Sequence, residues 1–309
     1  MIRKDVLPDI WNDDWHCQTE AQHIDLTRGA EECIILCNPA DAPLFMLHDG
    51  KGYRTLPDIE NLNVDIAADA NMRIYRLQGP NTQPHHLTEL HVTMHEGSHL
   101  SLCTVTLGGS HVRNNIQVRM QGERCMLEAD GLYLIDREQE CDNYIFVEHA
   151  KPNCHSRELY KGIVDDAARA RFNGHVLVQD GAVKTEAYQT NHNILLTDKA
   201  HVDTRPFLEI YNDDVKCSHG STIGQLDEQA MFYLMTRGIS QRTAVTMLSY
   251  AFCDEVIRNI AIDTLRDAVG DMVKKRLHGE LTSCADCAIA CANPCNGPDA
   301  HFEIDPSKL

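Results

Sequence analysis

Two groups of side chains in this sequence could bind a soft metal. The first is Lys216-Cys217-Ser218-His219-Gly220, where a cysteine and a histidine stand two residues apart. In an extended strand such residues project to the same face, so the Cys217 sulfur and the His219 imidazole would lie side by side. Thiolate and neutral imidazole suit iron, zinc or copper. The competing reading makes Cys217 a small buried hydrophobe and His219 a hydrogen-bonded turn residue. The second group is Cys284, Cys287, Cys291 and Cys295, a C-x2-C-x3-C-x3-C run that could hold zinc or an iron–sulfur cluster. Its spacing matches neither the usual ferredoxin run nor paired zinc knuckles. The alternative is a helix whose stripe happens to be cysteine, although Pro294 makes its continuation to Cys295 awkward.

Two further groups carry weaker chemistry. His85, His86, His91, His95 and His99 crowd one stretch, and His91 and His95 would share a strand face. They either bind a metal or line a solvated face whose inner side is Leu90, Val92 and Met94. Glu148, His149, Cys154 and His155 read as a lid or an ordinary loop. No phosphate-binding P-loop, dinucleotide glycine motif or nucleophile elbow is present, and no carboxylate pair is singled out for glycosidase chemistry.

The elements that must position these residues fall into two regimes. From about residue 74 to 211, short apolar alternations are punctuated by Gly79-Pro80, Gly108-Gly109, Gln121-Gly122, Asp130-Gly131, Asn173-Gly174 and Asp180-Gly181. Many short strands at such spacing predict an all-β architecture. No strict repeat separates sandwich, barrel and β-helix, and residues 163–172 fit either a helical turn or a strand. Upstream, residues 1–35 read as helical or extended, and 38–62 as loops and short strands.

After Gly224 the period becomes helical. Asp227 is a good N-cap for a helix closing at Arg237-Gly238. Ser240 caps a second helix with Ala244, Val245, Leu248, Ala251, Phe252 and Val256 on one face. A third, over 262–277, ends in Lys274-Lys275-Arg276 and Gly279, which suits the negative end of a helix dipole. The apolar stripe exceeds what one short bundle needs, so it either packs on the β-domain or docks a partner. The chain thus divides into an N-terminal mixed segment (1–70), a β core (71–224), a helical subdomain (225–280) and a cysteine-rich tail (281–309).

Composition bounds the partners. The 309 residues are 43% hydrophobic and 24% charged, as in a soluble globular protein. A formal net charge of −18 argues against nucleic acid and anionic membranes and favours basic protein surfaces. No apolar run approaches the ~18–20 residues of a membrane helix. The start, MIRKDVLPDIWNDDW, lacks the apolar centre of a signal peptide, so a cytoplasmic location is expected. Thirteen cysteines, an odd number, do not look like a secreted disulfide framework.

The run DDVKCSHGSTIGQLDEQAMFYLMTRGIS (213–240) resembles the C-terminal signature of the SufB/SufD family of iron–sulfur cluster assembly scaffolds. The likeness continues through SRELYKGIVDDAARARFNGHVLV and NHNILLTDKAHVDTRPFLEIYNDD, and covers roughly residues 70–278. It is SufD-like in one respect. Where SufB-type members carry Cys-Asp-Ser-Leu-Leu with a sulfur-accepting cysteine, this chain has Asn191-His192-Asn193-Ile194-Leu195.

The resemblance implies a mainly β fold, a right-handed parallel β-helix followed by a small C-terminal α-helical subdomain. It also implies a non-enzymatic scaffold in de novo cluster assembly, working with a SufB-type subunit and a SufC-type ABC ATPase, while a homodimer of the isolated chain stays open. His219, with Cys217 beside it, would face the partner and help hold a transient cluster. Tyr233, Arg237, Leu248, Phe252 and Val256 would lie on the helices that dock the ATPase. Two alternatives stay open: a stand-alone zinc or iron–sulfur protein using Cys284, Cys287, Cys291 and Cys295, and a β-helical carbohydrate-active enzyme.

Overall fold

The computed structural model describes residues 17, 19–37, 53–80 and 82–279. From the third strand onward its strands alternate between two parallel sheets, and the second and third strands share one of them. The first holds, in spatial order, β1 (Gln22–Leu26), β4 (Asn61–Ile66), β6 (His85–Met94), β8 (His111–Met120), β10 (Glu140–His149), β12 (Arg169–Val178) and β14 (His201–Ile210). The second holds β15 (Lys216–Gly224), β13 (Glu186–Leu195), β11 (His155–Val164), β9 (Met126–Ile135) and β7 (His99–Thr106). It continues with β5 (Asn71–Gln78), β2 (Glu31–Cys37) and β3 (Tyr53–Pro57). Every strand but β3, which adds to the second sheet beyond β2, pairs with the equivalent strand one coil away, and this makes a parallel β-solenoid of about six turns. The β1–β4 strands belong to the same two sheets, so the described part of the segment before residue 71 is also solenoid.

Coil length explains why no repeat is visible in the sequence. His85 pairs with His111, a step of 26 residues, whereas Arg169 pairs with His201, a step of 32. A drifting period leaves the inward positions in line in space but out of phase in sequence. Residues 163–172 prove to be the end of β11, a turn and the start of β12.

The turns have their own ladder. Gly29, Asp69, Gly97, Arg124, Asn153 and Lys184 all sit at positive φ, between 57° and 70°. Each donates its N–H to a carbonyl of the next coil, as Asp69 does to Glu96 (2.8 Å) and Asn153 to Val183 (2.9 Å). Only two of the six are glycine, so glycine did not mark the turn. Conversely, Asp130-Gly131 and Asn173-Gly174 are not turns, because they lie inside β9 and β12. A Cβ on Gly131 would stand 2.2 Å from the Tyr160 ring, so the glycine is there to make room for it.

Two cores result. Between the sheets, in-register apolar side chains are buried, Ile74, Leu102 and Ala129 in one sheet and Val147 and Val176 in the other. Three helices follow, α1 (Glu228–Thr236), α2 (Gln241–Ile257) and α3 (Asp263–His278), and the last two cover the outer face of the second sheet. There Leu132, Leu134, Leu159 and Ile163 meet Cys253, Val256, Ile257 and Val269. Burying each such aliphatic side chain contributes about 1.5–3 kcal/mol. A sheet covered on both faces reads as a continuous apolar run, as Leu132-Tyr133-Leu134-Ile135 does.

The helix ends follow the expected chemistry. Asp227 accepts from Gln229 N (2.8 Å) and Ala230 N (3.2 Å), Ser240 accepts from Thr243 N (3.2 Å), and Gly279 closes α3 at φ 78°.

Candidate functional site

The last coil, β14 and β15, ends both sheets of the described chain, so each sheet presents there a strand paired on one side only. Pro206, which cannot donate to a ladder, sits in β14, and prolines in sheets are confined to such edges. Cys217 pairs with Ala187 and His219 with Gln189 across β13–β15. Ala187 belongs to the inter-sheet core, so Cys217 and His219 share the inward face of the closing strand. Cys217 is half-buried against that core, and burial pushes its thiol up from the ordinary cysteine range. His219 is exposed.

Large apolar side chains surround this end. Phe207, Ile210, Tyr211 and Ile223 are all exposed, Phe207 at 54%. On α1 no residue is buried, and Phe232 is 70% and Tyr233 55% exposed. A groove of about 650 Å³ separates α1 from the last coils and is lined by Leu195, Leu196, Met231, Phe232, Met235 and Val245.

A column of side chains leads to His219 from inside. Glu158 pairs with Gln189, and Gln189 with His219, so the three occupy one inward position on successive coils. Gln189 Nε2 donates to Glu158 Oε2 at 2.7 Å. Burial pushes the Glu158 carboxyl up to about 8, so it is protonated at neutral pH. Beside the column, Tyr133 OH donates to Asn193 Oδ1, Asn193 Nδ2 donates to Asn191 Oδ1 (2.7 Å), and Asn191 Nδ2 donates to Tyr133 OH (3.2 Å). Sequence reading missed Glu158 and Gln189. The only signal was their spacing from His219 by one coil, which needs the coil length to be known.

The helix residues expected to dock a partner separate into two environments. Tyr233 and Arg237 are exposed, with the Arg237 guanidinium 5.1 Å from the Tyr233 ring centroid. Leu248 is partly buried. Phe252 packs against the sheet–helix core under Lys161, whose Nζ donates to the Phe252 carbonyl (3.1 Å). Val256 is wholly buried in that core, because it faces the sheet, and it is not available to a partner in this arrangement.

The remaining candidates do not converge. His86 is buried on Asp58 (2.8 Å), His95 meets Asp65 (3.1 Å) and His99 meets Glu128 (3.5 Å), each a separate carboxylate. Among the described residues no three metal-ligating side chains come together. His149 is inside the solenoid on Ser156 Oγ (2.9 Å), and Cys154 is buried beside Cys125, both thiols donating to the Gly122 carbonyl (3.3 and 3.2 Å). Cys284, Cys287, Cys291 and Cys295 lie outside the described residues. No described helix is long and apolar enough to cross a membrane.

The fold and this end define a class of protein: a parallel β-solenoid with a helical cover, open at one terminus where a sulfur and an imidazole flank an apolar edge. The family model for the SufBD core domain of SUF-system FeS cluster assembly matches residues 16–252, and the chain belongs to that SufB/SufD family as a SufD-like member. It is 35% identical over 257 residues to the iron–sulfur cluster assembly protein SufD of Escherichia coli (strain K12), covering 83% of this chain and 58% of that one. An iron–sulfur cluster assembly SufBD family protein of Mycobacterium leprae (strain TN) is 32% identical over 242 residues, 76% of this chain and 61% of that one. Protein ABCI7, chloroplastic, of Arabidopsis thaliana is 33% identical over 234 residues, 74% and 48%. The chain spans about half to three fifths of the length of these relatives.

Proposed function

We propose that the protein is a SufD-like scaffold subunit that builds iron–sulfur clusters with a SufB-type subunit and a SufC-type ABC ATPase, without catalysing a reaction itself. One observation carries this reading: Cys217 and His219 share a face on the strand that closes the solenoid. Protein-bound clusters take about four ligands, and this strand supplies one sulfur and one imidazole. The site is therefore half of one, to be completed by another chain. A paralogous solenoid meeting this end would align its own edge strands with β14 and β15 and cover Phe207, Tyr211 and Ile223, a use of sheet edges seen in β-augmentation. When no such partner is present, a second copy of this chain would take the same edge.

The cluster is cargo in this scheme. Cys217 must lose its proton to bind iron, and its raised thiol disfavours that until metal or a cationic neighbour arrives. The ATPase is assigned to α1 and the exposed side of α2, around Tyr233, Arg237 and Leu248, which leaves nucleotide hydrolysis to that subunit.

The test is anaerobic co-expression of the three chains with iron and sulfide assayed on the purified complex. His219→Ala is expected to lower cluster yield about tenfold or more. Unchanged yield and unchanged ATPase activity would remove His219 from the site. Replacing Cys284, Cys287, Cys291 and Cys295 together with Ser is expected to leave cluster in the complex. Loss of all metal from that variant would move the site to the tail.

A further inference from the structure

The interior of the last coils holds a polar feature that a packed solenoid core does not need. Gln189 is 1% exposed, and its amide lies over the inner face of the opposite sheet at Gly174. A Cβ on Gly174 would stand 2.4 Å from Gln189 Nε2, so this glycine is what admits the amide. Nε2 is committed to Glu158, whereas Oε1 is buried and accepts from nothing. Buried amide oxygens without a donor are rare and costly. The next rung in the same column is His219, whose ring bonds to no described residue. Neighbouring rungs of a parallel sheet are about 4.8 Å apart, which puts a donor on an in-register ring within reach by side-chain rotation alone.

We propose that Gln189, anchored by Glu158 and given room by Gly174, is the positioning residue for His219. Its Oε1 accepts the Nδ1–H of the imidazole and so turns the Nε2 lone pair outward, toward the metal. A ligand histidine commonly donates its other ring N–H to a fixed oxygen, and that bond selects the tautomer and the ring orientation. The functional meaning of this support rests on the assignment of His219 to the assembly site.

The test uses the full chain with nitrogen-labelled histidine and reads the His219 ring nitrogens by NMR, assigned with His219→Ala. The wild type is expected to show a single Nδ1–H tautomer. A ring averaging between tautomers, as an internal water on Gln189 would leave it, overturns the proposal without any variant being needed. Gln189→Met, which removes the acceptor, and Gly174→Ala, which displaces the amide, are each expected to shift His219 to the averaged pattern. An unchanged His219 spectrum in a folded Gln189→Met chain overturns the proposal. In the three-chain complex Gln189→Met should lower cluster yield about tenfold or more, in step with the tautomer change. If His219→Ala leaves yield intact while the wild-type tautomer is fixed, the assembly reading fails and the support stands. If His219 is needed but its tautomer is averaged, only the support fails.

Discussion

Arg276 of α3 places its guanidinium 2.7 Å from Asp136 on the solenoid and 2.8 Å from Gln139 Oε1, with the arginine and aspartate side chains both nearly buried. One arginine thus satisfies two acceptors across the seam between helices and sheet. Arg276→Ala leaves Asp136 with only the half-exposed Arg137, 3.3 Å away, as its counter-charge. The loss expected is about 2–3 kcal/mol, below that of a buried pair left with no partner, read by urea denaturation. A loss below about 1 kcal/mol would mean that the seam is hydrated.

Gly162 and Tyr133 make a steric pair of the same kind as Gly131 and Tyr160. A Cβ at position 162 would fall 2.1 Å from Tyr133 Cε2 and 2.6 Å from Asn193 Oδ1. Gly162→Ala should cost about 1–3 kcal/mol through overpacking. Gly181, with nothing within 4 Å of its would-be Cβ, is the control, and Gly181→Ala should stay within about 0.5 kcal/mol. Equal melting temperatures for the two variants would contradict the packing described.

Two buried groups make stability depend on pH in opposite senses. Glu158 titrates near 4.5 when unfolded and about 8 when folded, so its contribution is full below pH 4.5 and is lost as pH rises to about 8. His149 is held down to about 3 by burial, so its contribution is present above pH 6.5 and is lost as pH falls toward 3. Glu158→Gln should raise stability at pH 8 relative to wild type by on the order of a few kcal/mol and remove the alkaline slope. An alkaline slope that persists in Glu158→Gln would place the responsible group elsewhere.

The two faces of the helical cover should respond differently to truncation. Val256→Ala, in the buried core, should lower stability by about 2 kcal/mol. Tyr233→Ala should leave stability within about 0.5 kcal/mol and weaken binding of the ATPase subunit by about fivefold or more, measured by calorimetry. Undiminished ATPase binding by Tyr233→Ala would exclude α1 as the docking element.

Much of the fold was legible. Alternation at Leu90, Val92 and Met94 marked an inward strand face, and those residues are buried in β6. The caps Asp227, Ser240 and Gly279 marked helix ends because their chemistry is local. Glycine was the misleading sign. Gly131 and Gly174 sit in strands to admit a ring and an amide from other coils, while Arg124 and Lys184 take the left-handed turns. Those assignments depend on neighbours 15 to 30 residues away, which no local pattern contains.

By itself the sequence determined the many short strands, the capped helices that follow them and the pairing of Cys217 with His219 on one strand face, because period and capping act over a few residues. Tertiary structure alone decided that Val256 faces the sheet while Tyr233 faces out, that the closing strand is an edge, and that Glu158 and Gln189 lead to His219. Those relationships arise from stacking one coil on the next, and the step between coils varies from 26 to 40 residues, so only the folded chain brings the positions into line.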